Sequence, residues 1–283
     1  MQSAASHKKP VIPWALWDAG SSSFNAVMTT FVFTVYLTSD AFGSKEHTTQ
    51  VLSAGLTIAG VVVALTAPVT GQRADRNGSR RRALAWTTTA VALCVALCFF
   101  ARPEPSYLYL GVGLIALANV MSEIATVHYN SLLPSISTPE TVGRVSGLGW
   151  SFGYFGGIVA LGIVLVGFVS PGLLGIPEDD SLNLRAIAVF SAVWLMLFSL
   201  PLLLRFPGAT APSSDYGLAT GEQSPGPRDS ILDSYKHLGR TIRRLYREEP
   251  LALRFLITSA IFRDGLAGIF TYGGVLAAGT FCF

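Results

Sequence analysis

The sequence predicts an all-α integral membrane protein: a six-helix N-terminal bundle, a cytoplasmic linker and the first helix of a second bundle. Three observations predict it. Of 283 residues, 51% are hydrophobic and only 13% charged, against about 25% charged in soluble domains, and mean hydropathy is +0.49. The apolar residues lie in seven runs, each near or above the ~20 helical residues that cross a bilayer core. The 20 basic residues crowd onto alternate links between those runs. Such a chain is not disordered, not a small disulfide scaffold and not an ordinary cytosolic enzyme. No lysine-rich block interleaved with aromatics supports nucleic-acid binding.

The runs, in order, are Trp14–Leu37, Val51–Thr70, Ala83–Ala101, Tyr107–Leu133, Val145–Ser170, Ala186–Leu204 and Phe255–Phe281. They lack period-two alternation and are too long for barrel strands, so they read as helices. The first is not a signal peptide, because Asp18 and Ser21–Ser23 interrupt its apolar start. The fifth carries Gly149, Gly153 and Gly157, a small residue every fourth position, which lets helices approach closely in lipid. Cys94, Cys98 and Cys282 all sit in apolar runs and read as buried thiols. Neither zinc-finger spacing nor any cofactor or nucleotide motif is visible.

Orientation follows from the basic residues. With the N-terminus inside, the inner segments hold Lys8, Lys9, Arg73, Arg76, Arg80, Arg81, Arg82, Arg144, Arg205, Arg228, Lys236, Arg240, Arg243, Arg244, Arg247 and Arg254. The outer segments hold Lys45, Arg102 and Arg185, and Arg263 falls within a run. Sixteen against three places the N-terminus in the cytoplasm, in the cell membrane. The domains are then 1–205, the six-helix bundle; 206–250, the linker; and 251–283, the first helix of an incomplete second bundle.

The linker has two halves. Pro207–Arg228 is rich in Pro, Gly, Ser and Thr, a flexible composition. From Ser230, a capping box with Asp233 precedes Ile231, Tyr235, Leu238, Ile242 and Leu245 at helical spacing, with Lys236, Arg240, Arg243, Arg244 and Arg247 mostly on other faces. Pro250 is expected to end this basic amphipathic helix. It lies either on the inner membrane surface against anionic headgroups or on the inner ends of the spans.

Ionisable groups inside a membrane face a cavity or a partner. Here they fall in runs one, four and seven: Asp18; Glu123 and His128; Arg263 and Asp264. A period of three runs suggests three-helix repeats around a shared cavity. Asp18, Ser22, Asn25 and Thr29 share one helical face, as do Asn119, Glu123, Thr126 and Asn130. His128, five residues from Glu123, falls off that face. Glu123 lies near mid-span, whereas Asp18, four residues into its run, could also cap or sit at the interface. A retinal protein does not fit, since no lysine follows Lys236.

The link after the second run reads Gly71-Gln-Arg-Ala-Asp75-Arg76-Asn-Gly78-Ser-Arg-Arg81-Arg. Its glycines suit a tight turn, Asp75 can cap or pair with an arginine, and Arg76 and Arg81 hold the link inside. The Gly-x3-Asp-Arg-x-Gly spacing resembles the signature between helices 2 and 3 of the major facilitator superfamily. Within it, the chain resembles the branch of vacuolar amino-acid effluxers linked to autophagy and their bacterial relatives. The carrying residues are Trp14–Ala19, Tyr129–Pro134, Gly143–Gly147, Gly153–Gly157 and Arg263-Asp264-Gly265.

The resemblance implies two six-helix halves that alternate access to a cavity lined by helices 1, 4, 7 and 10. It also implies that the link containing Gly71, Asp75, Arg76, Gly78 and Arg81 gates the inner side against the second half. On this reading the chain is a non-enzymatic secondary transporter for a small polar solute such as an amino acid, cut short after helix 7. Its candidate solute and proton residues are Asp18, Ser22, Asn25, Asn119, Glu123, Asn130, Arg263 and Asp264, with Glu123 the favoured proton carrier. Its partners are the solute, protons, anionic lipid and the missing half. The alternative is a truncated membrane protein that does not transport and acts as a sensor, scaffold or inactive half-transporter.

Overall fold

Apolar runs without strand periodicity become helices here, and polar links become their ends. The structure, a computed structural model, describes residues 10–76, 80–169, 173–205 and 231–281. The main helices are α1 (Val11–Ser23), α2 (Lys45–Arg76), α3 (Arg80–Leu97), α4 (Leu108–Ser131), α5 (Val142–Val164), α6 (Leu182–Arg205), α7 (Ile231–Glu248) and α8 (Pro250–Phe281). Among the described residues, five stretches are both long and apolar enough to cross a membrane: Lys45–Gly71, Arg80–Phe100, Pro105–Ile136, Val142–Val169 and Asp179–Leu204. They correspond to runs two to six.

Run one departs from a regular helix. After α1 the chain widens into a π-helix, Phe24–Phe31, and re-forms an α-helix only over Phe33–Leu37. The cause is local. The hydroxyls of Ser21, Ser22 and Ser23 donate to the carbonyls of Asp18, Ala19 and Gly20 at 3.0, 2.7 and 2.9 Å. Thr29 and Thr30 both donate to the Asn25 carbonyl, at 2.7 and 2.8 Å. Such back-bonding competes with the helical ladder, and the Val32 amide closes the wider turn on the Val27 carbonyl at 3.0 Å.

One expectation about a helix end is corrected and one holds. Residues 71–76, expected to form a tight turn, complete α2 as helix. None of them is proline and Gly71 is the lone glycine, so nothing stops the ladder at the membrane edge. Pro250 ends α7 as expected, since that helix stops at Glu248, and it also opens α8, where its missing N–H costs nothing.

The chain divides into two units, Met1–Pro227 and Arg228–Phe283. In the first, α1 packs between α5 and α6, α4 packs between α2 and α3, and α3 packs on α6. Exchanging helices 1, 2 and 3 with 4, 5 and 6 leaves that set of neighbours unchanged. This is the signature of two three-helix repeats. One core cluster gathers Phe24, Met28, Phe33, Leu37, Val95, Cys98, Leu108 and Ile115, and a second gathers Trp14, Trp17, Leu84, Tyr129, Leu132 and Leu202. Cys94 and Cys98 are free thiols buried in the first cluster. The outside is equally apolar: Trp86 is 78% exposed and Phe155 70%, a surface suited to lipid and not to water. In the second unit α7 runs into α8 through Glu249 alone.

Candidate functional site

The polar stripe of α4 is a face its own bundle leaves open. Ala118, Ser122, Ala125 and Tyr129 are buried, while one position further along Asn119 and Thr126 are half-buried and Glu123 and Asn130 exposed. The two rows share the same 4, 3, 4 spacing, so the sequence packs one row and presents the next. Glu123 lies within about one turn of the middle of Pro105–Ile136. His128 is buried, on the packed side.

On α1 the stripe is split by the π-helix. Asp18 and Ser22 lie before it, half-buried; Asn25 lies within it, exposed. Asp18 does not sit with Glu123 on an open face. A Cβ added to Gly153 of α5 would stand 3.0 Å from Asp18 Oδ2, and one added to Gly149 would stand 2.6 Å from the Trp14 ring and 3.0 Å from the Tyr129 hydroxyl. The glycines of α5 thus receive an indole, a phenol and a carboxylate on successive turns. Ser21 Oγ donates to the Asp18 carbonyl at 3.0 Å and reaches its Oδ1 at 3.5 Å.

An aromatic sandwich joins α1 to α4. Tyr129 stacks between Trp14 and Trp17, both centroid distances being 4.4 Å, at 6° and 23°. Both indole N–H groups are satisfied: Trp14 Nε1 donates to the Tyr129 carbonyl at 3.2 Å and Trp17 Nε1 to Thr88 Oγ1 at 3.0 Å. The Tyr129 hydroxyl is buried with no hydrogen-bond partner among the described residues. Beside the sandwich, Trp17, Ser21, Phe24, Thr88, Ser122 and Leu195 line a small pocket. Sequence reasoning missed this arrangement, although Trp14, Trp17 and Tyr129 stand in its quoted motifs; the partners are over a hundred residues apart. It also missed Arg185, assigned to an outer link. Arg185 is buried in α6, donates to the Phe99 carbonyl at 2.7 Å and sits over the Phe99 ring at 4.8 Å.

The link residues divide. Gly71 faces α4, where an added Cβ would stand 3.2 Å from Val127 Cγ1. Arg81 Nε donates to the Leu203 carbonyl at 2.8 Å and its Nη2 to the Leu204 carbonyl at 3.0 Å, closing the end of α6. Arg80 Nη1 donates to the Ser131 carbonyl at 3.2 Å, at the end of α4. A guanidinium at helical carbonyl ends satisfies orphan acceptors and the helix dipole together. Gly78 and the side chains of Asp75, Arg76 and Asp264 lie outside the described residues, and Arg263 is exposed on α8. Among the described residues no group of three or more His, Cys, Asp or Glu could hold a metal ion.

These features define an all-α integral membrane protein whose six-helix unit is built from two three-helix repeats. The chain belongs to the major facilitator superfamily family described as "Vacuole effluxer Atg22 like", which matches residues 34–281. It is 24% identical over 274 residues to the "Uncharacterized MFS-type transporter YxiO" of Bacillus subtilis (strain 168). That match takes in 94% of this chain and 60% of the relative, so the chain spans well under two thirds of its relative's length. No solved structure matches.

Proposed function

We propose that the chain forms the first half, the central linker and the seventh helix of a secondary active transporter that moves a small polar solute, an amino acid in the first instance, by alternating access coupled to protons. One observation carries the reading. Glu123 lies mid-helix on the polar one of the faces of α4 that the bundle leaves open, between Asn119 and Asn130; the other exposed side, with Leu110 and Leu117, is apolar. A carboxylate at that depth is costly against lipid and is found facing a water-filled cavity or a partner helix. Membership of a family of MFS-type transporters supports a solute path as that cavity. Asn25, in the π-helix after α1, adds an exposed amide; Ser22 and Asp18 stand nearer α5 and shape the wall. Arg263 and Asp264 are the candidate solute residues of α8. Clustering of arginines at the inner ends of α3, α5 and α6 supports an N-terminus in the cytoplasm of the cell membrane.

The test is the protein reconstituted in proteoliposomes and screened for amino-acid counterflow and for uptake driven by a pH gradient. Glu123→Gln is expected to abolish gradient-driven uptake and retain counterflow. Retention of both activities refutes Glu123 as the proton carrier, and absence of all flux in the protein with its second half present refutes transport.

A further inference from the structure

We propose that α7 is an interfacial helix that binds the anionic headgroups of the membrane into which α8 inserts, and so anchors the start of the second unit to the lipid surface. The proposal does not rest on transport. On an ideal helix Ile231, Tyr235, Leu238, Ile242, Leu245 and Tyr246 fall within an arc of about 100°, and Lys236, Arg240, Arg243, Arg244 and Arg247 within a second arc of about 100° on the opposite side. The apolar arc is partly bare: Ile242 is 47% exposed and Tyr246 71%. The basic arc holds little acid. Arg244 is paired with Glu248 at 2.6 Å, whereas Arg240, Arg243 and Arg247 are exposed and have no carboxylate partner among the described residues.

Two features select lipid as the occupant. The first is charge: an unneutralised arginine row is complementary to phosphate headgroups. The second is attachment. Only Glu249 separates α7 from α8, its amide still bonded to the Leu245 carbonyl at 3.0 Å and its carbonyl accepting from the Leu253 amide at 3.3 Å. The C-terminal turn of α7 therefore cannot leave the plane in which α8 enters the bilayer. A helix is about 10 Å across, and the headgroup layer is about 5–7 Å deep. With the apolar arc at the acyl boundary, the arginines stand at phosphate level.

The experiment uses the whole chain with Cys94, Cys98 and Cys282 replaced by Ala. One spin label is placed at position 242 or 240, and the protein is put into nanodiscs of phosphatidylcholine alone or with 30% phosphatidylglycerol. Collision with oxygen and with a nickel chelate is then compared. In the anionic discs the label at 242 is expected to favour oxygen and the label at 240 the chelate. Replacing Arg240, Arg243 and Arg247 by Gln is expected to lower the ratio of docked to undocked helix about a hundredfold, reported by the label at 242, with monodisperse elution as the folding control. Both leaflets carry the same lipid, so orientation does not enter. Equal chelate access at 242 and 240 overturns the proposal, because the helix is then in water. Protection of 242 from both reagents overturns it in favour of packing on protein. Docking that ignores both phosphatidylglycerol and the three arginines overturns the headgroup contact.

Discussion

Replacing Gly156 by alanine tests a close backbone-to-backbone approach in the bundle. A Cβ there would stand 2.7 Å from both Cα and the carbonyl oxygen of Ala19 and 2.8 Å from its Cβ. Two of these atoms are backbone, so no rotamer change relieves the contact. To reach an ordinary separation of about 3.4–4 Å, α1 and α5 must part by about 1 Å. The same substitution also removes a helical glycine, which by itself stabilises by up to about 1 kcal/mol. Gly162 lies on the same helix with nothing within 4 Å of its added Cβ. Comparing Gly156→Ala with Gly162→Ala therefore cancels the propensity term and leaves the overpacking cost, about 1–3 kcal/mol. Thermal unfolding in one detergent, followed by loss of the monodisperse peak, should rank Gly162→Ala at or above the unmodified protein and Gly156→Ala several degrees below Gly162→Ala. Equal midpoints for the two variants would refute the close approach.

Tyr129→Phe deletes a buried hydroxyl that has no partner, so stability should change by less than about 1 kcal/mol or rise, whereas Tyr129→Ala opens the sandwich and should cost about 3–5 kcal/mol by the same assay. Thr88→Val leaves the Trp17 N–H buried without its acceptor and should cost about 1–3 kcal/mol, with a shift in tryptophan emission. Arg81→Gln removes the charge that closes α6 and should destabilise by about 1–2 kcal/mol, and Arg81→Lys should restore only part of it, because one ammonium cannot serve both carbonyls with the same fork geometry.

Runs two to six were legible because crossing a bilayer demands length and apolarity, and both are written residue by residue. The open face of α4 was legible for a similar reason: a helix with two rows of equal spacing, one small or apolar and one polar, has one way to pack. Run one was legible only in part. Serine and threonine that bond back to their own helix look in sequence like a polar stripe, so the π-helix that separates Asp18 from Asn25 was hidden behind the residues that cause it. The glycine motif of α5 announced packing, and Gly149 and Gly153 do meet side chains of α1, but the closest approach to the α1 backbone belongs to Gly156, one position out of register with the every-fourth pattern. The aromatic sandwich could not be read at all, since spacing within a segment says nothing about which distant segment it meets.

The interleaving of the two repeats has a consequence for biosynthesis. α1 leaves the ribosome well before its packing neighbours α5 and α6, which are the last two helices of the unit. At about 5–20 residues per second, the roughly 170 residues between Leu37 and Arg205 take on the order of ten seconds or more to appear. Until α5 emerges, most of the way through that interval, Asp18 and the serines beside it have no glycine wall to rest against. The least apolar span of the unit must be held by the insertion machinery or by transient partners until α5 arrives. Variants that slow synthesis after α4 should therefore yield less assembled protein even when the finished protein is fully stable.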